Sequence, residues 1–150
     1  MNRIVMASDH GGFDLKEQLK VILAEKGFAV TDMGSDIPAA VDYPEYAASV
    51  AKKVSDGEFT RGILICGSGA GMAIVANKFP RIRAVMCLTE DMAQLSRLHN
   101  DANILVLAGR LIDMQTAVKI TDIWLNTPFE GGRHQRRLDK IRDIEAAICK

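Results

Sequence analysis

Short apolar runs and amphipathic stretches take turns along the whole chain. Ile4-Val5-Met6-Ala7 has strand length and ends in the polar Ser8-Asp9-His10-Gly11-Gly12. The next stretch repeats Leu15, Leu19, Ile22 and Leu23 at helical spacing, with Lys16, Glu17 and Lys20 off that face and Gly27 closing it. Residues 28–31 predict a second strand and 34–38 a loop. Pro44 then suits the first turn of a helix that turns Ala47, Val50, Ala51 and Val54 inward and stops near Gly57. A third strand, 63–66, runs straight into Gly67-Ser68-Gly69-Ala70-Gly71 and a short helix that ends before Pro80. Residues 83–88 read as the fourth strand, followed by Thr89 as N-cap with Glu90 and Asp91 in the first turn. Residues 103–107 form the fifth. Gly109-Arg110 leads to a helix burying Ala117, Ile120 and Trp124, and a last helix lines up Leu138, Ile141, Ile144 and Ile148 on one side.

Five near-continuous apolar strands separated by helices indicate a parallel sheet covered on both faces. The expected fold is α/β: one Rossmann-like three-layer α/β/α domain over residues 1–150, with a five-stranded parallel sheet and an extra C-terminal helix. That last helix suits a partner subunit as well as its own sheet. Ligands of such sheets bind beyond the carboxyl ends of the strands, so the polar strand-end loops are where chemistry is sought.

Composition narrows the partners. Nineteen Lys and Arg balance nineteen Asp and Glu, which removes any overall attraction to nucleic acid or to an anionic membrane. No segment approaches the roughly 18 apolar residues of a membrane span, and the MNRIVMASDHGG start lacks the apolar run of a signal peptide, so a cytoplasmic protein is expected. Cys66, Cys87 and Cys149 are odd in number and lack CxxC spacing, which favours thiols over disulfides; the ligand spacing of a structural zinc site is absent.

The glycine loop after the third strand puts Gly67, Gly69 and Gly71 between a buried strand and a helix start, where backbone N–H groups can face an anion. Met72 breaks the dinucleotide fingerprint and no Gly-Lys-Ser/Thr follows, so neither nucleotide motif is met. A tight turn that merely permits close packing is the other reading of these glycines. Cys66 stands just before the loop, where backbone donors lower a thiol pKa and free a thiolate as base or nucleophile. A small buried hydrophobe is the alternative there and the preferred reading of Cys87. Cys149 has no assigned role.

All three histidines fall at element ends. His10 follows the first strand beside Asp9, a carboxylate able to orient and tune it. His99 ends the helix after the fourth strand, where a cation also complements the helix dipole. His134 lies in Gly131-Gly132-Arg133-His134. Arg133 and Arg137 are four apart, so on a helix they share a face and can converge on one dianion. The surrounding basic run is otherwise a solvated face; without interleaved aromatics for stacking it does not read as a nucleic-acid patch.

Together these blocks resemble the type B ribose-5-phosphate isomerases and their relatives, the galactose-6-phosphate and allose-6-phosphate isomerases. The resemblance runs from about residue 3 to residue 145. It is carried by Ser8-Asp9-His10-Gly11-Gly12-Phe13, Asp42-Tyr43-Pro44, residues 63–71 with Ala76-Asn77-Lys78, Leu95 through Asn103, and Phe129-Glu130-Gly131-Gly132-Arg133-His134. The family interconverts phosphorylated aldoses and ketoses of carbohydrate metabolism without metal or organic cofactor.

The resemblance implies that Asp9, His10 and Asn100 bind the sugar, Tyr43 lines its ring, and Gly67, Ser68, Gly69, Ala70 and Gly71 bind the reacting end and its developing charge. Cys66 is implied as the base, Ser68 as a hydroxyl near the reacting oxygens, and His99 as the group that helps open the furanose ring. Arg110, Arg133 and Arg137 would hold the phosphate. The family's site lies between two subunits, with His99, Asn100 and Arg110 coming from the neighbour, so a homodimer or a pair of dimers is implied. Ser68 stands where the cysteine-bearing branch often has Thr, and Met72 where another branch carries a catalytic Glu, which leaves Cys66 to act. A 6-phosphohexose substrate is the alternative, and a phosphate-binding module without catalysis is a reading from a different class.

Overall fold

A computed structural model of the chain describes residues 2–148; Cys149 lies outside the described residues. In chain order the elements are β1 (Arg3–Ser8), a 3-10 turn (His10–Gly12), α1 (Phe13–Glu25), β2 (Ala29–Asp32), α2 (Tyr43–Ser55), β3 (Gly62–Cys66), α3 (Ala70–Ala76), β4 (Ala84–Met86), α4 (Glu90–Asn100), β5 (Ile104–Ala108), α5 (Met114–Asn126) and α6 (Arg133–Ile148). All strand pairs are parallel, in the order β2-β1-β3-β5-β4. The expected three-layer fold with its five-stranded sheet is present. Among the described residues no helix is long and apolar enough to cross a membrane.

The period-two alternation of the strands decides which side chain meets which helix layer. Ile4, Met6, Ile63, Ile65, Leu105 and Leu107 point to the layer of α1, α4 and α5, whose Leu19, Ala93 and the fully buried Trp124 complete one core. Val5, Ala7, Leu64, Cys66, Ile104 and Val106 point to α2 and α3, where Val50, Ala51 and Met72 complete the other. Cys66 and the loop after it therefore belong to the α2/α3 face.

Strand bounds differ from the sequence expectation. β2 and β5 each run one residue later, β1 and β3 start one residue earlier, and β4 is three residues long rather than six. β4 is an edge strand whose backbone partners are partly side chains. Asn77 donates to and accepts from Ala84 at 2.9 Å each way, and the Asn103 amide oxygen takes the Arg83 N–H at 2.8 Å. Thr89 caps α4 as expected, accepting from the Met92 N–H at 3.1 Å.

Two larger departures concern helix faces. Lys16, assigned to the polar side of α1, is fully buried. Its Nζ contacts both Asp32 carboxylate oxygens at 2.8 and 2.9 Å and the Ser35 carbonyl at 2.7 Å. Burial alone would raise the Asp32 pKa, but hydrogen bonds from Lys16, Lys20 and the Gly34 N–H outweigh it and hold the carboxyl below its ordinary value. The last helix, by contrast, belongs to neither core. Ile141, Ile144 and Ile148 are 51%, 62% and 75% exposed, and a groove of about 670 Å³ remains where α6 passes Val54, Phe59 and Ile82.

Removing Lys16 leaves a desolvated carboxylate with the Gly34 N–H and, as its remaining cation, the half-exposed Lys20. Lys16→Ala is therefore expected to lower unfolding free energy by about 3 kcal/mol, and Lys20→Ala by less than about 1 kcal/mol, in urea titrations. Equal losses would remove the special weight of the buried partner. Because the Asp32 pKa is depressed, the stabilisation is present above the unfolded carboxyl pKa and is lost as pH falls through the lower folded value.

Candidate active site

Three strand-end loops meet at the carboxyl edge of the sheet, and they meet backbone to backbone. A Cβ on Gly12 would stand 2.6 Å from the Ile65 carbonyl oxygen, and one on Gly109 would stand 2.7 Å from the Gly11 carbonyl oxygen. Neither position has room for a side chain, so the loops after β1, β3 and β5 close on one another. Gly69 takes φ +80 as the residue before α3, turning the chain from the buried strand into the helix.

Around this junction the structure gathers most of the residues the sequence singled out. Asp9 is buried and its Oδ1 accepts the Gly12 N–H at 3.2 Å, pinning the turn that follows β1. His10 is exposed, and its Nδ1 accepts the Val41 N–H at 3.3 Å, which leaves Nε2 as the proton-bearing nitrogen of the neutral ring. The Tyr43 ring lies directly over Gly71, and the Arg110 side chain lies over Gly67, about where a Cβ would come within 3.3 Å of its Cδ. Ser68 is exposed on the loop, with its Oγ accepting the Ala70 N–H at 3.4 Å.

Cys66 sits beneath the glycine loop, 5% exposed, with Sγ accepting the Gly69 N–H at 3.0 Å. The sequence reading expected a lowered thiol pKa; the structure places it higher than ordinary. Burial pushes the thiol up and the Asp9 carboxylate adds to that, while the N–H groups of Met72, Gly69 and Ser68 pull it down without cancelling the rise. The resting form is a thiol held among donors that favour its anion. Cys87 behaves as the small buried hydrophobe expected of it, fully enclosed and pushed up to about 11 by burial.

His99 and Asn100 are elsewhere. They end α4, which runs back along the sheet, and the Asn100 and Asp101 carbonyls accept from Arg83 Nε at 3.0 Å beside the start of β4. Asn100 precedes β5 and Arg110 follows it, so the strand's length, about 13 Å at 3.3 Å per residue, separates the two groups. Within the chain Arg110 stands on the cradle, apart from His99 and Asn100. Arg133 and Arg137 lie in α6 on the His99 side. There the Glu130 N–H donates to the Leu98 carbonyl at 3.1 Å, and the His134 ring stacks on His99 at 4.1 Å. Glu130 was not singled out for chemistry by the sequence reading and His134 received no role; the four-residue interval between them was the available signal.

Residues 4–141 match the family model described as ribose/galactose isomerase, and the chain belongs to that family. It is 47% identical over 145 residues to ribose-5-phosphate isomerase B of Escherichia coli, covering 97% of each chain. It is 46% identical to a putative sugar phosphate isomerase of Bacillus subtilis, covering 95% of this chain and 97% of that one. Among solved structures, ribose-5-phosphate isomerase B of Clostridium thermocellum superposes with a TM-score of 0.95 at 46% identity, over 97% of this chain and 98% of that one. The Mycoplasma genitalium enzyme with bound ribulose 5-phosphate superposes with a TM-score of 0.93 at 42% identity, over 96% of both chains.

The raised thiol has a direct consequence for the free protein. Alkylation of the Cys66 peptide by iodoacetamide, followed by mass spectrometry, is expected to be slower at pH 7 than that of an unstructured cysteine peptide and to keep rising above pH 9. Rapid labelling at pH 7 would mean that the backbone donors prevail over burial.

Proposed function

We propose that the protein interconverts ribose 5-phosphate and ribulose 5-phosphate through an enediolate, with Cys66 as the base. The carrying observation is the Cys66 thiol beneath a loop of backbone N–H groups, one of them 3.0 Å from the sulfur. In the open-chain aldose, Cys66, ionised to the thiolate by loss of its proton to solvent, takes the proton from C2 and the carbonyl electrons move to O1. The thiol returns that proton to C1 while the O2 proton passes to O1, which gives the ketose and restores the thiolate. The charge that develops on oxygen is met by donors already oriented in the loop, where they cost no reorganisation. Ser68 offers a hydroxyl to the same oxygens, and Ala70 and Gly71 complete the loop.

Asp9, His10 and Tyr43 bind the sugar beside this loop. Asn100 contacts it from the other group, and His99 moves the proton that opens the furanose ring. Arg110 holds the phosphate together with Arg133 and Arg137. No metal or organic cofactor enters any of these steps.

The separation of the two groups within one chain supports a site shared between subunits, with the cradle of one chain facing His99, Asn100, Arg133 and Arg137 of another. A homodimer is the smallest assembly that completes it, and the exposed Ile141, Ile144 and Ile148 give such an assembly apolar surface to cover. The cytoplasm remains the proposed setting.

A coupled isomerase assay on ribose 5-phosphate, with allose and galactose 6-phosphates alongside, tests the substrate. Turnover of the pentose is expected to exceed that of either hexose, and no turnover of any would defeat the reading. Cys66→Ala is expected to lower kcat by about 10²–10⁴-fold with KM little changed, the range of a lost general base. Full activity in that variant removes Cys66 from the mechanism.

Subunit sharing has its own test. Inactive Cys66→Ala and His99→Ala chains, mixed under conditions of subunit exchange, are expected to recover about a quarter of wild-type activity. Half of the dimers are then mixed, and each mixed dimer holds one intact site. No recovery after demonstrated exchange means that each chain builds its site alone.

A further inference from the structure

His99, Glu130 and His134 form a second cluster of chemical groups, away from the cradle. His99 is the penultimate residue of α4, His134 is the second residue of α6, and Glu130 lies in the turn between α5 and α6. The two imidazoles are stacked at 4.1 Å with 14° between their planes. Glu130 Oε2 lies 3.9 Å from His99 Nε2 and 3.8 Å from His134 Nε2, and a ligand atom from each residue falls within 4.8 Å of the other two.

His134 makes this more than a surface charge cluster. Its side chain is 4% exposed, and its Nε2 has no hydrogen-bond partner among the described residues, the carboxylate being too distant to serve. A buried, unpartnered imidazole nitrogen with a carboxylate 3.8 Å away and a second imidazole stacked beside it is an arrangement that a shared ligand would satisfy.

Two imidazole nitrogens and one carboxylate oxygen are the donor set of zinc and its first-row neighbours. Donors on one tetrahedral ion stand about 3.3 Å apart, so the Glu130 contacts need to close by about 0.5 Å and the exposed His99 ring has to turn out of its stack on His134 for both Nε2 lone pairs to meet the ion. His99 is 38% exposed, which leaves the fourth position open to water or to a ligand. The guanidiniums of Arg133 and Arg137 oppose a dication and weaken its binding.

We propose that His99, Glu130 and His134 form a binding site for a divalent first-row transition ion of the zinc class, and that occupation takes His99 Nε2 away from the sugar phosphate. The inhibitory half rests on the proposed role of His99; the binding half does not.

The chelator-stripped full chain is titrated with Co²⁺ while its visible absorption is read, and isomerase activity is followed in parallel against Zn²⁺. One Co²⁺ per chain with a tetrahedral spectrum is expected. His134→Ala and Glu130→Gln should each weaken binding more than about 10-fold, since even second-shell losses cost that much. Zn²⁺ should inhibit the wild-type chain, and the two variants should lose a smaller fraction of their own activity at the same concentration. The surface-exposed Glu130→Gln keeps the test valid if His134→Ala fails to fold. No saturable spectrum, or an equal spectrum in Glu130→Gln, overturns the site. Saturable binding without inhibition overturns the withdrawal of His99. A metal-free chain inactive on every sugar phosphate would defeat the proposed function, while the Co²⁺ titration would still decide the site.

Discussion

A parallel sheet whose strands are joined by returning helices has two chemically unlike ends, and the rest of this molecule follows from that constraint. Loops leaving the strands collect at one edge; loops entering them collect at the other, where the helices finish. Cys66 ends a strand, Asp9, His10 and Arg110 follow strands, and all four fall together without special provision. His99 and Asn100 finish a helix, so the same connectivity carries them to the far end. The strand order β2-β1-β3-β5-β4 puts β1, β3 and β5 side by side, so the three loops that build the cradle are neighbours in space as well as in kind.

Energetics at the cradle are a contest between burial and oriented dipoles. The strand alternation that sends Cys66 into the α2/α3 core removes its sulfur from water and favours the thiol. The turn through Gly69 aims N–H groups at the same atom and favours the thiolate. Donors already oriented around a desolvated sulfur favour the thiolate that enediolate chemistry needs as its base. The buried Lys16–Asp32 pair supports the opposite wall: it ties α1 to the end of β2 and to Ser35, from which the chain runs on to Val41 against His10 and Tyr43 over Gly71. A stability element on one face of the sheet thus bears on the shape of the site.

The apolar pattern made the element order, the covered parallel sheet and the strand-end search legible because buried strands and helix faces leave period-two and period-3.6 signatures. It misjudged Lys16, because a helical wheel counts lysine as polar and cannot see Asp32 and a carbonyl waiting inside. It marked the isoleucines of α6 as a face without telling what they meet, since amphipathicity does not name a partner. The Cys66 position was legible, but the direction of its pKa was not, because depth of burial and the Asp9 charge arise from parts of the chain far apart in sequence.

By itself the sequence determined the fold class, the glycine loop, the thiol beneath it and, through five blocks in register, the family. Those features are local or follow from local periodicity. Only the tertiary structure decided that Arg110 joins the cradle while His99 and Asn100 do not, and that His99, Glu130 and His134 converge. Such placements depend on strand order, helix direction and the packing of α6 against α4. These are long-range geometric outcomes of burying two cores at once, and no window of residues contains them.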